Sequence, residues 1–336
     1  MTISRVSFLG SSQAQIARLR DMNTTLADLS RQVASRRKYQ TLAGFGADAA
    51  TIQRNRTEKG RVESYLGNLG AVTTTINVMN TAMTSARSAV DQVIQGLTTS
   101  VHQSSADIPA LAALAKNALS FIQDLANTQL DGRHLFAGDD TTSPPFQDAS
   151  ALNGNFQTQI SDWLAGTITT AQFVTNTDSL TTAQLGMNPG LSAAGPVAVR
   201  VDDGTELDYT VKADEDGFKE LIRALGLMAN MKAPGPADVP ASGDVNTVLN
   251  KILSIARTGV QQLDSAATRV GTNFNLIKSV QESHEQDVAL LDGLIGDAED
   301  ADTTEVVAQL QSLQTQLQAS YEVTRIASQL SLVNFL

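Results

Sequence analysis

The sequence predicts a mainly α chain with a β-rich insertion. It reads as a long coiled-coil helical shaft, N- and C-terminal helices paired at one end, and a β-rich outer domain. Three observations carry this. An apolar residue recurs at every seventh position from Val62 to Leu97. The middle of the chain loses that period and shows a hairpin pattern instead. Helical stripes then return and fill the C-terminal end. Hydrophobic residues make up 42% of the chain but aromatics only 4%, a mix that favours helix–helix packing through small contacts. With 336 residues, there is material for two or three domains.

Taken in order, the N-terminal segment sets Leu9, Ile16, Leu19, Leu26, Leu29 and Val33 along one side, interrupted by Ser12, Asn23 and Ser30. The heptad follows at Val62, Leu69, Ile76, Met83, Val90 and Leu97, with apolar companions Tyr65, Val72, Met79, Ala86 and Val93. This a/d pattern predicts one helix from near Asp48 to Leu97, about 75 Å long at ~1.5 Å per residue. Asp107 is placed to cap a second helix with Pro109 in its first turn, and Gly132 to stop it. Ile108, Leu111, Ala115, Ala118, Ile122 and Leu125 keep its spacing.

From Phe136 to about Gly195 the chain is rich in Thr, Asn, Gly and Ser and has no sustained heptad. Val197, Val199 and Val201 then alternate, Asp203–Gly204 turns, and Leu207, Tyr209 and Val211 alternate again. That is a β-hairpin signature. A helix from about Glu215 to Asn230 buries Phe218, Leu221, Ile222, Leu225 and Met228. A Pro/Gly-rich connector over 233–244 precedes a third long helix from near Asn246. Its seam runs from Leu249 to Leu294 and is weakened by Gly259, Asn273, His284 and Asp287.

The last helix opens on Asp302–Glu305, a capping-box pattern. Val306, Leu310, Leu313 and Leu317 form one stripe, and Val323, Ile326, Leu330 and Val333 another, about 140° away at ~100° per residue. Leu330, Leu332, Val333, Phe335 and Leu336 surround the axis in the final turns, and a helix apolar all round has to be buried all round. The N-terminal helix can cover one face only. Leu9, Ile16, Leu19, Leu26, Val33, Leu310, Leu313, Leu317, Val323, Ile326, Leu330, Val333, Phe335 and Leu336 are therefore expected to pack between subunits. The domains expected are 1–40 with 300–336 (terminal helices), 45–132 with 197–299 (shaft with hairpin), and 133–196 (β-rich outer domain).

Net charge is −11, which argues against nucleic acid. Residues 1–60 hold ten Lys/Arg and four Asp/Glu, net +6, while 281–336 hold one Arg and ten Asp/Glu, net −9. The two ends are expected to attract each other. There is no Cys, hence no disulfide and no thiolate chemistry. The N-terminus lacks the apolar core of a cleaved signal peptide, and no run is long enough to span a membrane. A membrane-surface role is disfavoured because the apolar C-terminal end is acidic.

No catalytic, cofactor or metal site emerges. His284 opens "HEQDV", but the second His of a zinc H-E-x-x-H would fall at Val288. The "DEDGFKE" stretch would put Lys212 and Arg223 at the first and last ligand positions of a calcium loop. There, Asp214, Asp216 and Gly217 are read as capping and a turn. "GFGADA" lacks the third Gly of a nucleotide loop. "RRKY" at 36–39 is expected to meet acidic residues or neighbouring subunits.

Several stretches resemble the bacterial flagellin superfamily, and within it the hook-associated branch. They are "NTQLDGRHLFAGDDTTSPPF" (Asn127–Phe146), "VRVDDGTELDYTVKADEDGFKELIRAL", and the ending "ASYEVTRIASQLSLVNFL", with "GFGADAA" similar to the loop joining terminal and shaft domains. Residues 150–195 are outside the resemblance. It implies a structural, non-enzymatic subunit at the junction of flagellar hook and filament, self-associating in a ring and located outside the cell. It also implies contact with hook-associated protein 1 and flagellin, and delivery by an export chaperone and the type III export apparatus. A flagellin-like filament subunit is the alternative. An enzyme in the central domain and a helical signalling module are the readings from other classes.

Overall fold

The computed structural model describes residues 3–103, 107–240 and 242–333, with side chains over 13–101, 107–240 and 243–326. It is mainly helical with a small β insertion. Eight helices lie along the described chain: α1 (Ile3–Ser35), α2 (Ala49–Gln103), α3 (Ile108–Ala126), α4 (Ala149–Leu164), α5 (Thr170–Asp178), α6 (Asp216–Asn230), α7 (Ser242–Glu299) and α8 (Thr303–Val333). Strands β1 (Gln129–Leu130) and β2 (Arg133–His134) form one antiparallel hairpin, and β3 (Ala198–Asp202) and β4 (Thr205–Asp208) another. Two units are present: residues 1–63 with 285–336, and residues 64–284.

In the 64–284 unit, the heptad of α2 is the core seam. Leu69, Ile76, Met83, Val90 and Leu97 are all buried, as are Met79, Ala86 and Val93. The seven-residue period keeps one stripe inward along the helix, as the sequence requires. Helix α3 begins as expected, with Asp107 accepting from the Ala110 amide at 3.1 Å and Pro109 in the first turn. It ends at Ala126, however, not at Gly132. Asp131 (φ 52°) and Gly132 (φ 76°) instead turn the β1–β2 hairpin. Two central residues with positive φ are what a tight hairpin turn needs, and Asp-Gly supplies them.

Helix α6 sits at the centre of this unit and packs on α3 and α4. Phe218, Leu221, Ile222, Leu225 and Met228 are buried in it as expected. Gly217, expected in a turn, is inside the helix. A Cβ there would lie 2.8 Å from the Leu263 amide nitrogen of α7, so glycine permits the close approach.

The stretch 133–196, expected as β-rich, contributes only β2 and an isolated bridge between Phe146 and Met187 as extended pairing, and carries two helices. Asp148 caps α4 by accepting from the Ala151 amide at 2.9 Å. Leu152, Phe156, Ile160 and Trp163 then recur every three to four residues and are buried. Thr169 and Gln172 form a full capping box on α5. Trp163 stacks on Phe173 at 5.3 Å and donates to the Thr170 hydroxyl at 3.1 Å.

The hairpin β3–β4 pairs Val199 with Leu207 and Arg200 with Glu206. Val199 and Val201 point to the core while Ala198, Arg200 and Asp202 are exposed. The polar residues that interrupt the α7 seam hold this hairpin down. His284 Nε2–H donates to the Val201 carbonyl at 2.8 Å, and its ring stacks on Tyr65. The Asn273 amide donates to the Asp208 carbonyl at 2.6 Å. Arg269 reaches the Thr210 carbonyl at 3.2 Å and the Glu215 carboxylate at 2.9 Å.

Candidate functional site

The expected assembly residues fall in the unit formed by 1–63 and 285–336. There α1 and α8 pack together. They run antiparallel: Asn23 reaches the Tyr321 hydroxyl at 3.4 Å, while the Ala301 amide donates to the Arg36 carbonyl at 2.9 Å. On α1, Leu29 is buried and Leu19, Met22, Leu26 and Val33 are half-buried. On α8, Val306 and Leu317 are buried and Leu310 and Leu313 half-buried. The first stripe of the last helix is thus used within the chain.

The described half of the second stripe is not. Val323 is 58% exposed and Ile326 45%. Ile16, about 100° round α1 from the centre of its seam, is 49% exposed. Helix entry at α8 is fixed by Asp302, whose Oδ1 accepts from the amides of Thr304 and Glu305 at 2.9 and 3.2 Å. The side chains of Leu9, Leu330 and Val333, and all of Phe335 and Leu336, lie outside the described residues.

Sequence reasoning missed other exposed apolar side chains of this unit. Leu290 and Leu294, four apart on α7, are exposed, although Leu294 was expected in the seam. Val307 and Tyr321 are exposed on a different side of α8 from Val323 and Ile326. The only signal available was the 3–4 spacing, which is the same for a buried seam and for a surface stripe.

The basic segment 36–39 meets acidic residues, as expected. Arg37 lies 3.8 Å from Glu299, and Lys38 Nζ donates to the carbonyls of Asp297 and Ala298 at 2.8 and 3.1 Å. Those carbonyls belong to the last turn of α7, which lacks intrahelical donors and carries the negative end of the helix dipole. Arg56 completes the cluster at 2.7 Å from the buried Glu299 carboxylate, and Lys59 sits 2.5 Å from Asp292. The opposite charges of the two chain ends therefore meet within one unit. Tyr39 packs edge-on against Phe45 in the short 3₁₀ segment Leu42–Asp48.

In the other unit, the stretch Asn127–Phe146 closes on itself. The Asn127 side chain accepts from the Phe146 amide at 2.8 Å and donates to the Phe146 carbonyl at 2.9 Å. His134 is buried, with Nδ1–H donating to the Asn127 carbonyl at 3.1 Å and Nε2 accepting from Gln129 at 2.9 Å. Phe136 is fully buried edge-on to Phe218. Both ring nitrogens of His134 are engaged within this stretch, by Asn127 and by its strand partner Gln129. Among the described residues, no cluster of three His, Cys, Asp or Glu could hold a metal, and no helix is long and apolar enough to cross a membrane.

Residues 253–336 match the family model described as bacterial flagellin C-terminal helical region. This covers most of α7 and all of α8. A putative flagellar hook-associated protein from Vibrio parahaemolyticus shares the fold. The two are 14% identical with a TM-score of 0.53, over 76% of this chain and 100% of that one. FlgL of Bacillus cereus aligns at 15% identity and a TM-score of 0.38, over 74% of this chain and 96% of that one. No curated protein matches the chain in sequence. Residues 253–336 thus carry a flagellin-type C-terminal helical region, and the likeness to the Vibrio protein is one of fold.

Proposed function

We propose, with that flagellin-type C-terminal region as premise, that this chain is the subunit of the junction ring between flagellar hook and filament, corresponding to hook-associated protein 3. The observation that carries the reading is the half-used terminal pair. One stripe of α8 is covered by α1, while Ile16, Val323 and Ile326 remain about half exposed. Fully burying a large apolar side chain is worth ~1.5–3 kcal/mol, so three such residues on one helix pair favour association. Further copies are the natural cover, arranged head to tail as a closed ring. Hook-associated protein 1 and flagellin would then be the neighbours below and above. An export chaperone would hold the C-terminal helix before delivery through the type III apparatus to the extracellular hook tip. The domain division expected from sequence, with 1–40 and 300–336 as one assembly domain, serves this reading. A flagellin-like filament subunit is the second reading, and the same surface supports it.

The test pairs a deletion strain with a surface variant. Val323→Asp with Ile326→Asp should leave the circular dichroism of the isolated chain unchanged and fail to restore filaments in the deletion strain. Hooks without filaments, with flagellin shed into the medium, support the junction role. Residual filaments on complete hooks favour the filament subunit. Full motility from the double variant would overturn the assembly surface.

A further inference from the structure

Within the 64–284 unit, a cavity of about 580 Å³ opens between α2 and the two hairpins. One wall is the β3 strand, and the opposite wall is the small polar face of α2 at Thr74 and Thr75. Arg133 and Tyr209 also line it.

The strand is an unfinished sheet edge. The Tyr209 amide donates to the Val197 carbonyl at 3.2 Å, and Val199 pairs with Leu207. Residues 197 and 199 therefore turn their backbone groups toward β4. Strand alternation then turns the N–H and C=O of Ala198 and Arg200 the other way. Among the described residues β3 has β4 as its sole strand partner. An open edge of this kind is a template for a further strand.

The charge of the cavity selects what that strand would carry. The charged residues lining it are Asp131, Arg133 and Arg200, a positive excess in a chain of net charge −11. Neither guanidinium forms an ion pair among the described residues. Arg133 donates instead to the Thr141 hydroxyl at 3.3 Å. Its charge is also felt by Tyr209, whose phenol burial pushes up and Arg133 draws partly back.

We propose that this cavity binds an extended, acidic segment of another protein chain as a third strand on β3. Its backbone would pair with Ala198 and Arg200, and its carboxylates would meet Arg133 and Arg200. The inference is independent of the terminal-helix reading, because every residue it uses lies in the 64–284 unit.

Backbone amide exchange of the full-length chain tests it, with a capped hexapeptide of alternating Val and Asp as probe. Exchange at Ala198 and Arg200 should slow about tenfold on adding the peptide. The same peptide with Lys in place of Asp, or with alternate amides N-methylated, should give no slowing, and neither should acetate. A doubly reversed variant, Arg133→Glu with Arg200→Glu, should switch the preference to the Lys peptide. Should that variant not fold, the four probes on the native chain decide alone. Equal slowing by both peptides, persistence with the N-methylated one, reproduction by acetate, or no slowing at all overturns the proposal.

Discussion

Asn127 ties a twenty-residue loop with one side chain, because its amide matches both backbone groups of Phe146. Asn127→Ala would leave that N–H and C=O without their partners, at an expected cost of about 2–4 kcal/mol. Chemical denaturation would read it, with the midpoint falling and the slope unchanged. Within the same loop, hydrogen bonds from Ser143 and then Thr142 hold the Asp140 carboxyl below its ordinary value. A carboxyl that is more acidic when folded stabilises fully above its unfolded pKa, near 3.9, and loses that contribution as pH falls through the lowered folded value. Amide protection at Ser143 should therefore be flat at neutral pH and drop below about pH 4. In Asp140→Asn that pH dependence should be absent. Sequence singled out this loop by resemblance, yet its hydrogen bonding was not legible. A side chain closing on a backbone nineteen residues away leaves no periodic trace. The Asp131–Gly132 turn did leave one, and it was read as a helix stop because glycine serves both purposes.

At the scale of elements, the heptad of α2 was readable because a strict period fixes one inward stripe whatever packs on it. Helices α4 and α5 were hidden by their composition. The apolar spacing from Leu152 to Trp163 is regular, but it is diluted by Asn, Gln, Thr and Ser that face outward. The polar interruptions of α7 had the opposite fate. Asn273 and His284 read as flaws in a coiled coil, and they are the clamps for β3–β4. Because a helix offers no free backbone donor along its middle, a hairpin lying across it needs side chains such as these. His284→Ala should remove the donor from the Val201 carbonyl together with the stack on Tyr65, at a cost of about 1–3 kcal/mol. Hydrogen exchange should quicken in β3 and β4 and stay unchanged in α3 and α6.

For the whole molecule, the opposite charges of the chain ends were visible in composition, and the ends do meet. Which faces they share was only half legible. The two stripes of α8 look alike in sequence, and only the position of α1 decides that Leu317 is covered and Val323 is not. Removing residues 1–40 should uncover Val306 and Leu317, so that α8 exchanges its amides freely while 64–284 keeps its protection. Equal loss in both regions would mean that the two units unfold as one. The division also has a temporal side. Residues 64–284 are one continuous stretch, whereas α1 is joined by α8, nearly the full chain length away. Closing so long a loop is slow relative to local pairing. Wherever the polypeptide emerges gradually from its N-terminus, α1 must wait for α8 before either has its partner.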